Sequence, residues 1–152
     1  MSIFHFLEGA GLIRLEDTAG YILNRVARKV DYRMDEFFRD HDLTVAQWVA
    51  MQTISDHESL CQKELSALID KNQNTVKALI DRLMDKGFIE RRPDEKDRRQ
   101  MLLFLSPGGR KLVDRISPME DEINETMVKG LSAEEVEQLK VLLLRLEKSM
   151  SS

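Results

Sequence analysis

The chain has 152 residues, of which 42% are hydrophobic and 33% charged, a balance that suits one compact domain or a small module with an extension and excludes wholesale disorder. A net charge of −4 and a pI near 5.5 mean that the molecule as a whole repels phosphate, so any nucleic-acid activity must rest on local charge. A single cysteine, Cys61, excludes an intramolecular disulfide and a paired-cysteine metal motif, in keeping with a reducing interior.

The opening stretch MSIFHFLEGAGLIRLED lacks a basic leading region and is interrupted by Glu8, Arg14 and Glu16. It reads as neither signal peptide nor membrane span, so a cytoplasmic location is expected. From Thr18 to Phe38 the apolar residues Ala19, Ile22, Leu23, Val26, Ala27, Val30, Met34, Phe37 and Phe38 recur every three or four positions, which predicts a long amphipathic helix. Thr44-Val45-Ala46-Gln47 has the capping-box spacing, in which Thr accepts the third helical N–H and Gln reaches back. A second helix should run from there to about Asp56. Cys61-Gln62-Lys63-Glu64 repeats the pattern with Cys in place of the hydroxyl and opens a brief third helix carrying Leu65, Leu68 and Ile69. The polar cluster Asp70 to Asn74 predicts a turn with N-cap candidates. Val76, Leu79, Ile80 and Leu83 then form the stripe of a fourth helix, stopped near Gly87.

Phe88 to Arg92 and Gln100 to Ser106 read as the two strands of a β-hairpin around a charged loop, since the apolar run Met101 to Leu105 is short and bounded by Pro93 and Pro107. After Ser106-Pro107-Gly108-Gly109, the spacing of Leu112, Ile116, Met119, Ile123 and Met127 predicts a helix from about Arg110 to Lys129, ended by Gly130. Ser132-Ala133-Glu134-Glu135 is a full capping box for a last helix with Val136, Leu139, Leu142, Leu143 and Leu146 on one face. The apolar stripes of the outer helices exceed what the central module can cover, so they are expected to bury one another and a second copy of the chain. A homodimer is the expected assembly.

Two helices joined by a polar turn and followed by a hairpin with a basic loop are the outline of a winged helix-turn-helix. The expected fold is thus mainly α with a small β-hairpin, a winged helix-turn-helix flanked by N- and C-terminal dimerisation helices. Its divisions are an arm and dimerisation helix over 1–40, a DNA-binding lobe over 41–108, and C-terminal dimerisation helices over 109–152. Charge supports the central assignment: from Lys71 to Arg99 there are nine Lys or Arg against six Asp or Glu, a local +3 that leaves −7 on the remainder. With the fourth helix's stripe turned inward, Asn74, Lys77, Ala78 and Asp81 lie on the opposite side, flanked by Gln73, Thr75 and Arg82. Amides, a hydroxyl and cations are the groups that hydrogen-bond base edges and phosphates. The helix N-terminus adds a dipolar preference for phosphate.

Six segments carry a family resemblance: Gln62-Lys63-Glu64-Leu65, Asn74-Thr75-Val76, Leu79-Ile80-Asp81-Arg82-Leu83, Lys86-Gly87-Phe88-Ile89-Glu90-Arg91, Asp97-Arg98-Arg99 and Leu105-Ser106-Pro107-Gly108-Gly109. In this order and spacing the chain resembles the MarR-type dimeric winged-helix transcriptional regulators, closely over about residues 61 to 112 and in helix layout on either side. The resemblance implies a dimer whose recognition helices enter successive major grooves of a pseudo-palindromic double-stranded DNA operator, with half-sites roughly 10 bp apart and each wing reaching a minor groove. It places DNA contacts at Gln62, Asn72, Gln73, Asn74, Thr75, Lys77, Arg82, Lys96, Arg98 and Arg99, with Asp97 as the wing acid that braces Arg99 and an arginine as the minor-groove probe. Cys61, where the family has a hydroxyl residue, and the acidic pair Asp94 and Glu95 at the wing depart from the pattern.

The same resemblance implies a small, often aromatic and anionic effector bound between the dimerisation helices and the DNA-binding lobe. Tyr21 with Arg25 one turn on, and Trp48 with Met51, are the candidate lining residues, set against the simpler reading of Tyr21, Trp48 and Met51 as ordinary core. No cofactor and no metal are expected, because His5, His41 and His57 are scattered and no His-x-x-x-His spacing occurs. No Gly-rich phosphate loop or nucleophile elbow is present, so the chain does not read as an enzyme. The expected function is a sequence-specific transcriptional regulator, a repressor that leaves its operator when an effector shifts its conformational population. The alternatives are a protein-interaction module on a winged fold and a regulator that responds to oxidation of Cys61, which reads more simply as a structural residue.

Overall fold

The computed structural model describes residues 14–151, so His5 and the N-terminal arm up to residue 13 lie outside the described residues. Helix α1 (Ala19–Arg39) is capped by the Thr18 hydroxyl, which accepts the Tyr21 N–H at 3.3 Å. Helix α2 (Val45–Asp56) opens on the expected box: the Thr44 hydroxyl accepts the Gln47 N–H at 3.1 Å and the Gln47 side-chain oxygen accepts the Thr44 N–H at 3.2 Å. A two-residue strand β1 (Leu60–Cys61) leads into α3 (Gln62–Leu68), where the Cys61 N–H donates to the Glu64 carboxylate at 2.9 Å. Helix α4 (Gln73–Asp85) follows a turn through Asp70, whose φ of 52° is one that Asp tolerates better than most residues.

Strands β2 (Ile89–Pro93) and β3 (Met101–Leu105) pair antiparallel from Ile89 opposite Leu105 to Pro93 opposite Met101. β1 adds to the other edge of β3, with Leu60 opposite Leu103 and Cys61 opposite Leu102, giving a three-stranded sheet in the order β1-β3-β2 rather than the bare hairpin expected. Two residues are too few to show a period, and the strand exists because β3 offers an open edge beside the entry to α3.

Helix α5 (Pro107–Met127) begins three residues before the expected Arg110. Ser106 is its N-cap, accepting the Gly109 N–H at 3.0 Å, and Pro107 occupies the first turn, where its missing N–H costs nothing. Gly109 is obligatory there: a Cβ would stand 2.1 Å from the Phe88 carbonyl oxygen. At its far end α5 is closed by Val128, two residues before Gly130. Gly87 alone among the described glycines takes a positive φ, 78°, at the end of α4. Helix α6 (Ala133–Met150) starts on a complete capping box between Ser132 and Glu135.

The core sits where α2, α4, the sheet and the first half of α5 meet. Trp48, Met51, Leu65, Ile80, Leu83 and Ile116 are its largest fully buried members, with Phe38 at the end of α1 stacked on Trp48 at 5.4 Å between ring centroids. The outer helices are different. Phe38 is the one buried residue of α1, α6 has none, and the four buried residues of α5 all precede Pro118. No described helix is long and apolar enough to cross a membrane.

Candidate nucleic-acid interface

Helix α4 buries Val76, Ile80 and Leu83 and exposes Gln73, Asn74, Thr75, Lys77 and Arg82. Its first turn is fixed by Asn72, whose side-chain oxygen accepts the Thr75 N–H at 2.8 Å, so the oxygen caps the helix while the amide NH2 stays available. Gln62, the first residue of α3, donates its amide to the Gln73 carbonyl at 3.3 Å and ties the two helix starts together. The expected α4 contacts therefore share one exposed surface, held in place by Asn72 and Gln62 from its edge.

The sheet side of α4 is also anchored. Arg91 on β2 reaches Asp81 on α4 at 3.4 Å. Lys86, just past the helix, bonds the Asp42 carbonyl and, at 3.2 Å, the Gln47 side-chain oxygen. Arg92 pairs with Glu90 at 2.9 Å and lies 4.7 Å from the Phe104 ring centroid, so two of the basic residues at the root of the hairpin hold the wing rather than present free charge.

At the wing tip the acids shape the loop. The Asp94 N–H donates to the Gln100 carbonyl at 2.9 Å, and the Asp94 carboxylate accepts the Lys96 N–H at 3.0 Å. The Asp97 carbonyl accepts the Gln100 N–H at 2.9 Å, and its carboxylate accepts the Arg99 N–H at 3.1 Å. The contact between Asp97 and Arg99 thus runs through the Arg99 backbone, not its guanidinium. Lys96, Arg98 and Arg99 are exposed and make no ion pair with another described residue. Asp94, unexplained by the sequence pattern, is the second loop-former; its spacing two residues before a residue whose N–H it accepts is the Asx-turn signal that identifies it.

The four expected effector residues do not come together. Arg25 lies 5.9 Å from the Tyr21 ring centroid on the first turns of α1, whereas Trp48 and Met51 are 1% and 0% exposed inside the lobe. The Trp48 indole N–H donates to Glu120 of α5 at 2.7 Å. Burial pushes the Glu120 carboxyl above its usual range, Asp121 adding to the rise and the Trp48 bond opposing it. A cavity among the described residues lies elsewhere, between α1 and α5: about 600 Å³, with Val26, Val30, Met34, Ile123 and Met127 as apolar lining, Lys29 and Arg33 as cations and Glu122 as an acid. The sequence stripes of α1 and α5 contained its apolar members, but nothing in those stripes distinguished a cavity wall from a packed face. Cys61 is buried. No group of three or more His, Cys, Asp or Glu placed to hold a metal occurs among the described residues.

Comparison with known proteins agrees with this geometry. The MarR family model matches residues 43–101, which run from the start of α2 to the start of β3. The multiple antibiotic resistance protein MarR of Escherichia coli is 27% identical over 125 residues, 82% of this chain and 87% of that protein. Residues 43–101 are a MarR-family domain. Among solved structures, the S. aureus MepR–DNA complex is similar with a TM-score of 0.83 and 27% identity, covering 90% of this chain and 99% of that one. BpsR of Bordetella bronchiseptica, solved to explain regulation of its DNA binding by 6-hydroxynicotinic acid, has a TM-score of 0.77 and 26% identity over 93% of this chain and 99% of that one. With this MarR-type domain, the chain is a DNA-binding transcriptional regulator with a winged-helix fold, and not an enzyme.

Proposed function

We propose that the protein is a homodimeric repressor that binds a pseudo-palindromic operator and releases it when a small aromatic acid binds. The observation that carries the DNA-binding mode is the exposed row Gln73, Asn74, Thr75 and Lys77 at the capped start of α4, beside a wing whose Lys96, Arg98 and Arg99 make no ion pair with another described residue. Gln73, Asn74 and Thr75 supply base-edge contacts in the major groove, with Lys77 and Arg82 on phosphate, Asn72 and Gln62 at the rim, and the wing cations in the minor groove. An operator selected from random duplex DNA should be retarded in a gel shift, and its affinity should fall steeply with salt, by a slope of roughly −0.9 for each phosphate contact. A protein that retards no duplex at low salt would instead be a protein-interaction module.

The homodimer is supported by α6, an 18-residue helix with no buried residue, on which Leu139, Leu142, Leu143 and Leu146 are 38–46% exposed. An isolated helix of this length is marginal in water, and a second copy of the same surface is the partner that symmetry supplies most readily. Loss of the operator on effector binding is supported by BpsR, whose DNA binding 6-hydroxynicotinic acid regulates. The α1/α5 cavity fits that ligand class, its apolar walls taking a ring and Lys29 or Arg33 a carboxylate. Hydroxylated aromatic acids are expected to raise Tm by several degrees in a thermal-shift screen, and Arg33→Ala to abolish most of that rise. An unchanged rise in Arg33→Ala would place the carboxylate elsewhere.

A further inference from the structure

Helix α5 is two helices in function. Its first half, up to Ser117, belongs to the DNA-binding lobe through Leu112, Val113 and Ile116. Pro118 has no N–H to give to the Asp114 carbonyl, so the backbone ladder is weakened where the helix leaves the lobe. Past this point no residue of α5 is buried. Two side chains flanking Pro118 bridge the soft point to α2: the Ser117 hydroxyl donates to the Gln52 side-chain oxygen at 3.2 Å, and the Glu120 carboxylate accepts the Trp48 indole N–H at 2.7 Å.

Of the two, the Glu120 bond reaches deeper. Trp48 is 1% exposed and stacks on Phe38, the buried end of α1. Its neighbour Gln47 accepts Lys86 at the C-terminal end of α4, so consecutive residues of α2 hold the far half of α5 and the end of the recognition helix. The route from α5 to α4 is a short series of direct contacts through one rigid helix. A buried indole N–H left without an acceptor is costly, which makes the bond to Glu120 a definite geometric requirement rather than an optional surface contact.

We propose that Glu120 is a positioning residue for operator recognition: by accepting the Trp48 N–H it locks the outer half of α5 to α2 and sets the separation at which the dimer presents its two recognition helices. With the lock open, Pro118 lets each lobe swing on the dimerisation helices, and the dimer accepts half-sites at more than one spacing. This inference rests on the dimeric reading above, whose failure shows separately as a monomer in light scattering.

The test measures affinities of the full-length protein for the selected operator and for versions with the half-sites moved apart or together by two base pairs. Wild type is expected to prefer the selected spacing by about tenfold or more, because each helix must meet its own groove. In Glu120→Leu that preference is expected to fall to about threefold or less. Glu120→Gln, whose amide oxygen still accepts the indole N–H, is expected to keep the wild-type ratio, and Trp48→Phe, which keeps a ring in the core and removes the donor, to match Glu120→Leu. A merely structural role would lower Tm without changing the spacing ratio. An unchanged ratio in Glu120→Leu, or an equal loss in Glu120→Leu and Glu120→Gln, overturns the proposal; if Glu120→Leu does not fold, the ratio for Trp48→Phe decides it.

Discussion

Replacing Leu142 and Leu146 of α6 together by Glu is expected to turn the proposed dimer into a monomer and to weaken operator binding by about a hundredfold or more. Both leucines lie on the stripe that begins at Leu139, and each is 46% exposed in the single chain, so each still offers apolar area to the second copy of the proposed dimer. Burying a fully exposed leucine is worth about 2 kcal/mol, so covering the 46% that each still exposes is worth about 1, and the four side chains lost from each dimer remove about 4 kcal/mol before the cost of desolvating the introduced carboxylates. Such a loss raises the dimer dissociation constant about a thousandfold. Operator affinity follows because one chain grips one half-site, and covalent or tight non-covalent linkage makes the second grip an intramolecular event. The lobe itself should survive, since no α6 residue is buried and none belongs to the core cluster around Trp48. Light scattering at micromolar concentration reads the mass, and near-ultraviolet circular dichroism of Trp48 reads the lobe. A variant that stays dimeric and holds its operator would remove α6 from the interface.

What the sequence made legible were features carried by fixed local spacing. Thr44 with Gln47 and Ser132 with Glu135 declare helix starts because a capping box is closed within three residues, whatever the rest of the chain does. The stripe Val76, Ile80 and Leu83 likewise predicts its own burial, and with it the exposed row proposed to face DNA. What stayed hidden depended on residues far apart in the chain. β1 is two residues whose strand identity comes from β3, some forty positions on. Trp48 and Met51 lie on a helix apolar over most of its circumference, so periodicity does not say which members meet a cavity and which meet the core. The α1/α5 cavity and the Glu120–Trp48 bond are both meetings of helices more than seventy residues apart. The wing falls between the two cases. Its acids sit at Asx-turn spacing, yet the resemblance implied only that Asp97 braces Arg99, and it is the structure that shows the contact as a hydrogen bond to the Arg99 backbone.

That bond shapes the expectation for the wing. Asp97 spends its carboxylate on the Arg99 N–H, which fixes the direction of the backbone at the tip and leaves the guanidinium free to enter a groove. Arg99→Ala is expected to weaken operator binding by about tenfold or more, since two wings are lost per dimer and each inserted arginine contributes about 1 kcal/mol or more in a narrow minor groove. Asp97→Ala should reproduce much of that loss with the cation still present, because an unfixed loop gives up part of its contact energy to ordering. Lys77→Ala differs in kind: if Lys77 meets phosphate, affinity falls for every duplex alike and the slope against salt shrinks by roughly 1 for each subunit. Changing the A·T pairs under the wing to G·C widens the groove and separates the two cases. Wild type and Lys77→Ala should lose affinity on that change, and Arg99→Ala should not. Equal operator affinity for Arg99→Ala and wild type would take Arg99 out of the groove and leave Arg98, its exposed neighbour on the same turn, as the probe to replace next.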